Sequence, residues 1–482
     1  MHNRPVVVGI GSIQQKGNFK DLDEALVLME QATQKAIEDS TNKDVTKYID
    51  EISVPKGFWK YRDPARWIAE RNNIEKVKTS ITKIGVLQQN LLNTACNKIV
   101  NGEISASLII GGESRYKILR SKIENQKYIE TELNINPDNY IKASEDLTLR
   151  EEEKELGSMA VGYYAILESA LRASLKKDLN GHNDDIAHMY SNFSKIAANN
   201  IDGWNEQPID ASLIKYQSKK NPLQAFPYNK YHCASWNVNQ SCAMIICSET
   251  VADKLNIPIK KRVYPLASSE TNHMIATLQR PNLIEPIGMK LAADFILDIC
   301  KKHKLEIDDY DLYSCFPVAI QMFAISLGLK IDNQMTITGG MPFAGGPLNS
   351  YVLHSTVKLI SKIRERKKGL GIITGVSGMM TKQSYALWSK NPDIDFIHKD
   401  FTDDAKNIEK PVEISTDTMG EGEIIGYTII KKNTHSKAIM YLNISGGKKR
   451  KLITSSDESI IRSMEEKEWV GKKVYFKKNQ LV

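Results

Sequence analysis

Apolar and polar positions along the chain alternate between short β-branched runs and longer segments of helical period, which is the pattern of an α/β protein. Val6 to Val8 reads as a buried strand running into Gly9-Ile10-Gly11-Ser12, and a helical pattern follows from about Leu22 to Ser40. A second helix is expected from about Asp63 to Asn72, with Asp63 as N-cap and Pro64 at the first helical position. A third, Gly85 to Val100, stops at Asn101-Gly102-Glu103 before a strand from Ala106 to Ile110, which Gly111-Gly112-Glu113 ends.

From Tyr116 to about Asn221 the chain turns charge-rich and helical, most clearly over Leu156 to Lys176, with a more polar stretch from Asn180 to Asn205. Too few β-branched runs occur there to add strands to a central sheet, so it reads as an inserted helical region. Strand character returns at Ala243 to Cys247, followed by a helix over Glu249 to Leu255 and a stop at Pro258. Gly288 to His303 reads as a helix, Tyr310 to Cys315 as a short strand, and Asn349 to Arg366 as a helix stopped by Lys367-Lys368-Gly369. The strand Gly371 to Thr374 then closes on Gly375.

The unit Gly85 to Gly111 thus has a counterpart in Asn349 to Gly375, at an offset of 264 residues. An internal duplication with the active centre between the halves is one explanation, and the chance recurrence of αβ units in one α/β protein is the other. Beyond about Lys399, strands are expected at Val412 to Ser415, Glu423 to Lys431, Ala438 to Ile444 and Lys473 to Phe476. Residues 400–482 therefore read as a small β-rich, barrel-like domain, joined through the polar segment around Asp403 to Glu409.

Composition narrows the function classes. The 482 residues, 41% hydrophobic and 26% charged, suffice for several domains and a sizeable core. The formal charge of +7 is spread among both signs, which argues against nucleic acid as a partner, and Lys448-Lys449-Arg450-Lys451 reads as a solvated hairpin end. Six cysteines without repeated CxxC spacing fit a reducing, cytoplasmic compartment better than a disulfide framework or a structural zinc. The amino-terminal stretch has neither a long apolar region nor a cleavage site, and no run of 18 apolar residues occurs, so neither secretion nor a membrane span is expected.

Two glycine-rich segments carry candidate chemistry: Thr338 to Pro347, with Gly339, Gly340, Gly345 and Gly346, and Gly375-Val376-Ser377-Gly378. Clustered glycines let backbone amides converge on an anion or developing oxyanion, while tight turns account for them equally simply. Cys315, in Tyr313-Ser314-Cys315-Phe316-Pro317, is either a nucleophile served by His354 or His273 or a small apolar residue packed beneath a strand end. His354, on the expected helix among Leu353, Val357 and Ile360, is either its base or a hydrogen-bonded structural histidine. His232-Cys233 is a further reactive pair by residue type alone, and no His, Cys and Asp grouping has metal-ligand spacing.

Several segments, taken in order, carry a resemblance. They are Asn101-Gly102 through Gly111-Gly112-Glu113, Ala225-Phe226-Pro227-Tyr228-Asn229-Lys230, Val238 through Ser248, Leu312 through Phe316, Thr338 through Pro347, and Gly371 through Lys382. On these the chain resembles the thiolase superfamily, most closely the type 1 thiolase-like proteins related to the sterol-carrier-type thiolases, which bear an additional C-terminal domain. The resemblance implies a fold of two duplicated αβαβα halves. It divides the chain into 1–115 with 225–260 as the first half, 116–224 as a helical covering region, 261–395 as the second half, and 400–482 as the extra β-rich domain.

It further implies an acyltransferase of the acetyl-CoA acetyltransferase kind in lipid metabolism, with a coenzyme A thioester as ligand, no permanently bound cofactor, and assembly as a homo- or hetero-oligomer. The family's nucleophilic cysteine falls at or beside Gly85, its activating histidine on Gly346, and its second cysteine near Thr374 or Gly375. A four-residue catalytic motif falls on Tyr313, Ser314, Cys315 and Phe316, keeping only the cysteine and phenylalanine of one family variant. Glycine cannot act as base or nucleophile, so conventional thiolysis is not expected. Thioester binding is expected at Gly339, Gly340, Gly345, Gly346, Gly375, Gly378 and Ser314, with Cys315 and His354 as the remaining reactive groups. The alternative is a non-catalytic scaffold or partner subunit for another acyl-handling protein.

Overall fold

The computed structural model describes residues 3–143, 145–331, 334–432 and 435–482; the first two residues of the amino-terminal segment lie outside these. The first half opens with β1 (Pro5–Gln14), α1 (Ala25–Asp39), β2 (Ile49–Pro55), α2 (Pro64–Arg71), β3 (Lys78–Thr82), α3 (Gln89–Val100), β4 (Ala106–Ser114) and α4 (Arg115–Ile123). The expected cap of α2 is present, the Arg66 amide donating to Asp63 Oδ1 at 3.0 Å. The covering region holds β5 (Asn139–Ile141), α5 (Arg150–Leu156), α6 (Val161–Ser174), α7 (Leu179–Ala198), α8 (Ala211–Lys215) and a hairpin of β6 (Leu223–Ala225) and β7 (Tyr228–Asn229). β8 (Asn239–Ser248) and α9 (Glu249–Lys254) then complete the first half.

The second half contains β9 (Tyr264–Thr271), α10 (Ile287–His303), β10 (Asp309–Asp311), α11 (Pro317–Ser326), α12 (Met341–Ala344), α13 (Tyr351–Arg364), β11 (Leu370–Ser377) and β12 (Lys382–Ser389). After β13 (Ile397–Asp400) and α14 (Thr402–Ile408) come β14 (Glu413–Ile414), β15 (Met419–Lys432), β16 (His435–Ile444), β17 (Lys449–Ser455), α15 (Glu458–Glu466), β18 (Lys473–Lys477) and β19 (Gln480–Leu481).

The pairing of strands demonstrates the duplication. In the first sheet β2 lies parallel to β4, and β8 lies antiparallel to both β4 and β1. In the second, β10 lies parallel to β11, and β12 lies antiparallel to both β11 and β9. Val100 and Arg364, where α3 and α13 end, are 264 residues apart, as are Ala106 and Leu370, where the following strands begin. α3 and α13 contact strands of both sheets and form the central layer, with α1 and α2 outside the first sheet and α10 outside the second. The result is five layers, α-β-α-β-α, and the middle strands β4 and β8 are buried at every position.

The structure departs from the sequence reading where glycines serve packing rather than turns. β1 continues through Gly9 and Gly11, where a Cβ would collide with the Ala36 and Ala32 carbonyls of α1. β4 likewise continues past Gly111 and Gly112 to Ser114, because these glycines admit Ser350 and Met29 against the strand. The covering region does add a strand: β5 pairs in parallel with β3 at the sheet edge, although it is short and wholly exposed. The strand expected over Tyr310 to Cys315 ends at Asp311, and the apolar run after Phe316 forms α11 with Pro317 at its first position.

In the C-terminal region β15, β16, β17, β19 and β18 close on themselves, β17 pairing in parallel with β19 and β15 antiparallel to β18. With α15 between β17 and β18, this is a small five-stranded barrel of OB-fold connectivity. Among the described residues no helix is long and apolar enough to cross a membrane.

Candidate functional site

Two helix starts meet at the centre of the molecule. α3 begins at Gln89 and α13 at Tyr351, so each turns its first amides toward the space between the sheets. The Val352 amide donates to the Gln88 side-chain oxygen at 2.7 Å, and Asn349 Nδ2 donates to the Thr82 carbonyl at 3.3 Å. A residue of the first half therefore caps a helix of the second. Gln88 and Val352 are themselves 264 residues apart, which places the contact on the pseudo-twofold relation of the halves.

Tyr313 fills the same space. Its amide donates to Thr374 Oγ1 at 2.8 Å, its ring stands edge-on to Tyr351 with centroids 5.8 Å apart, and its phenol is within hydrogen-bonding reach of Gln88. Lys382, only 3% exposed, donates to the Gly85 carbonyl at 2.9 Å; burial lowers its pKa and Glu145 opposes that shift. A side chain at Gly85 would meet Ala143 and Leu147, and one at Gly378 would also meet Leu147. Leu147, between β5 and α5, thus lies beside both glycines.

The structure therefore brings together Gly85, Thr374, Gly378 and the Tyr313 segment. The residue that faces α13 from the start of α3 is Gln88, three positions beyond Gly85.

The glycine segment before α13 is held rigidly. Asp311 Oδ1 accepts from Thr336 Oγ1 at 2.7 Å and from the Ile337 and Thr338 amides at 2.9 and 3.2 Å, while Oδ2 accepts from the Tyr351 hydroxyl at 3.2 Å and from Ser355. Sequence reasoning missed Asp311, which ends the acidic strand Asp309-Tyr310-Asp311 and is buried there. The Gly339 amide donates to Thr336 Oγ1, Gly340 to Thr338 Oγ1, Met341 to Ser314 Oγ and Gly346 to the Ser235 carbonyl, at 3.0, 3.1, 2.9 and 2.8 Å. These amides are engaged within the protein. Gly345 has φ +104° and any side chain there would run into Gln240. Gly375 lies inside β11 opposite Ser384, not in a loop.

Cys315 and His354 occupy different surroundings. Cys315 is buried, its carbonyl accepts from the Ala234 amide at 3.2 Å, and burial pushes its thiol up to about 12. His354 lines a cavity of about 30 Å³ with Ser12, Asp202, Gln240, Gly345 and Lys358. Burial holds its imidazole down to about 4 despite Asp202, and Nε2 has no hydrogen-bond partner among the described residues. A thiol that does not ionise and an imidazole that binds protons weakly make a poor nucleophile and base at neutral pH. His273 Nε2 lies 3.0 Å from the Glu409 carbonyl. His232 Nδ1 accepts from the Asn229 amide at 3.0 Å, a structural role.

A second buried hub escaped the sequence reading. Glu168 Oε1 meets His182 Nε2 at 2.6 Å and Gln321 Nε2 at 2.8 Å, and Oε2 accepts from the Tyr228 hydroxyl at 2.5 Å. Against the burial that opposes it, these partners hold the carboxyl below its ordinary range. It ties α6, α7 and α11 together. Among the described residues no group of three or more His, Cys, Asp or Glu is placed to hold a metal.

No protein-family description and no curated protein matches the chain. Solved structures do. The chain is similar along 100% of its length to 99% of a monomeric SCP2-thiolase like protein type 1 from Mycobacterium smegmatis, with a TM-score of 0.84 and 22% identity. It is similar over 81% of its length to 98% of the dimeric peroxisomal thiolase of Saccharomyces cerevisiae, with a TM-score of 0.55 and 17% identity. Human mitochondrial 3-ketoacyl-CoA thiolase in complex with CoA matches over 80% of this chain and 98% of its own, with a TM-score of 0.53 and 18% identity. Its duplicated strand order, five layers and central helix pair, together with these likenesses, give this chain the thiolase fold, extended by a C-terminal barrel.

Proposed function

We propose that this chain is a thiolase-fold protein that binds an acyl-coenzyme A or a related thioester and does not carry out conventional thiolysis. The observation that carries this reading is the content of the centre between the halves. Where covalent acyl transfer needs a thiolate and a base, this centre presents Gln88, Tyr313, Thr374 and the Lys382–Gly85 contact. The ligand class comes from the fold, since a human thiolase of this fold has been solved with CoA. The side chains there are hydrogen-bond donors and acceptors, suited to hold a carbonyl without attacking it.

A panel of acyl-coenzyme A compounds tests the reading by thermal shift and intact mass. A saturable shift without a covalent adduct supports it. An adduct on Cys315, or acetoacetyl-coenzyme A thiolysis above a catalyst-free control, refutes it. A second reading, a scaffold or partner subunit for another acyl-handling protein, is favoured by Leu147, an apolar side chain set beside both Gly85 and Gly378. Absence of any shift across the panel selects this second reading.

A further inference from the structure

One cation stands alone at the centre between the halves. Lys382 opens β12, is 3% exposed, and makes a single hydrogen bond among the described residues, to the Gly85 carbonyl at 2.9 Å. An ammonium has three N–H donors, so two are left over. Glu145, exposed between β5 and α5, acts on it through space, and among the described residues Lys382 has no ion-pair partner. A buried charge without such a partner is costly, and groups of this kind gather at functional sites.

Two buried hydroxyls around the same centre also lack partners. Ser384 stands two residues along β12 from Lys382 and shares its face, because side chains alternate along a strand. Its Oγ is fully buried and unpartnered among the described residues. A Cβ at Gly375 would lie 2.6 Å from that oxygen and 3.3 Å from Val352, so the hydroxyl sits beside the first turn of α13. Thr82 Oγ1, at the end of β3, is likewise buried and unpartnered, and the Thr82 carbonyl accepts from Asn349 Nδ2 just ahead of α13. The carboxylates nearest the two helices are already engaged, Glu270 by Asn90 and Asn93 and Asp311 by Thr336 and Ser355. An unpaired ammonium, spare hydroxyl donors and the amino ends of α3 and α13 together favour negative charge at this centre.

We propose that Lys382 determines which acyl group the centre takes, and that the preferred ligand carries a carboxylate at the end of a short acyl chain. The inference deepens the thioester reading and rests on it for the coenzyme A part of the ligand; the lysine and the two hydroxyls carry the choice of acyl group. A carboxylate there accepts the spare N–H groups in charge-assisted bonds. Calorimetric titration of the full chain with two pairs of thioesters tests it, propionyl- against malonyl-coenzyme A and butyryl- against succinyl-coenzyme A. Each pair exchanges a terminal methyl for a carboxylate. Free succinate, which has no coenzyme A, is the third probe. In the native protein at least one carboxylate-bearing thioester is expected to bind about tenfold or more tightly than its methyl counterpart. Lys382→Met should abolish that preference by weakening the carboxylate member of the pair, and Lys382→Arg, which keeps the charge, should retain part of it. The native comparison needs no variant, so the test stands even if Lys382→Met folds poorly.

A preference that survives Lys382→Met overturns the inference. Equal weakening of both members of a pair in Lys382→Met also overturns it, because the lysine then serves the thioester carbonyl that both share. If the native chain binds the methyl and carboxylate thioesters alike, the thioester reading stands and the inference falls. If no thioester binds and succinate binds through Lys382, the anion site stands and the thioester reading falls; if no probe binds, both fall.

Discussion

The two halves are joined through a buried carboxylate whose titration should be visible in the stability of the whole chain. Glu270, on β9 and 1% exposed, accepts from Asn90 Nδ2 and Asn93 Nδ2 of α3, both at 2.8 Å. Asn93 Oδ1 in turn accepts from Ser268 Oγ at 2.6 Å and from Gln89 Nε2 at 3.0 Å. Burial, reinforced by nearby Asp400 and opposed by the amides, pushes the Glu270 carboxyl from the ordinary 4.5 up to about 7. A carboxyl raised in the folded state binds its proton more tightly folded than unfolded. Raising the pH from about 4.5 through 7 therefore removes stability, and above that range the full loss is in place.

From the two pKa values the loss between pH 5 and pH 8 is about 2–3 kcal/mol. Glu270→Gln removes this titration and leaves one asparagine amide facing an amide nitrogen, a cost of about 1 kcal/mol at any pH. The variant should be less stable than the native chain at pH 5 and more stable at pH 8, with the order crossing between. Thermal or urea midpoints of both proteins at the two pH values measure this. Glu113, likewise raised to about 7 by burial, titrates in both proteins and cancels in the difference. A difference between native and variant that is the same at pH 5 and pH 8 would refute the reasoning.

Three further outcomes are expected. Acetoacetyl-coenzyme A should not be cleaved above a catalyst-free control, and Cys315→Ala or His354→Ala should leave that rate where it is, as a spectrophotometric assay can establish. Gly345→Ala should lower stability by a few kcal/mol, because φ is +104° and Gln240 occupies the space. Gly346→Ala should cost less than about 1 kcal/mol, its nearest neighbour being Ala234 Cβ at 3.2 Å, and thermal melts compare the two. Leu147→Ala should strengthen acyl-coenzyme A binding in titration if the covering segment is what closes the centre; an unchanged or weaker affinity counts against that closure.

What the sequence disclosed follows from which signals are local. The repeat was legible because the end of α3 and the start of β4 recur at one offset in α13 and β11, and the helix stops at Asn101-Gly102 and Lys367-Lys368-Gly369 are local chemistry. The strand ends at Gly9 and Gly111 were misjudged because a glycine needed for close approach of a helix looks like one needed for a turn. α11 was missed because Val318 to Ala324 is buried on every side and has no amphipathic period to read. The centre was legible as a place, through Gly85, Thr374 and the Tyr313 segment. Its occupants were not: Gln88 and Lys382 reach it through side chains that only the juxtaposed halves bring together, and Asp311 acts on residues 25 and more positions away.

The C-terminal barrel shows how far a separate strand pattern is from a separate body. It has its own core around Tyr427, Met440 and Ile453, yet Ile439, Tyr441 and Leu452 belong to the main core. The Tyr427 amide donates to Ser169 Oγ at 2.8 Å, Tyr441 donates to Glu152 Oε1 at 2.6 Å, and the Phe226 amide donates to the Ile429 carbonyl at 2.9 Å. Arg172 of α6 is fully buried and reaches Glu468 through two nitrogens, at 2.8 and 3.1 Å, with a third bond of 3.1 Å to the Tyr427 hydroxyl. Breaking such a pair from the carboxylate side strands a buried charge, while replacing the guanidinium by an apolar chain removes the charge with its need for a partner. Glu468 is about a third exposed, so water softens the penalty. Glu468→Ala should therefore cost about 2 kcal/mol and Arg172→Met about 1 kcal/mol, with the double variant close to Arg172→Met alone. Cutting the chain after residue 395 leaves Arg172, Ser169 and Glu152 without these partners, so that fragment should melt lower than the full chain or aggregate. Urea midpoints of the three variants decide the first claim; an Arg172→Met loss larger than that of Glu468→Ala would mean that the guanidinium acts through packing and not as a charge that the barrel must neutralise.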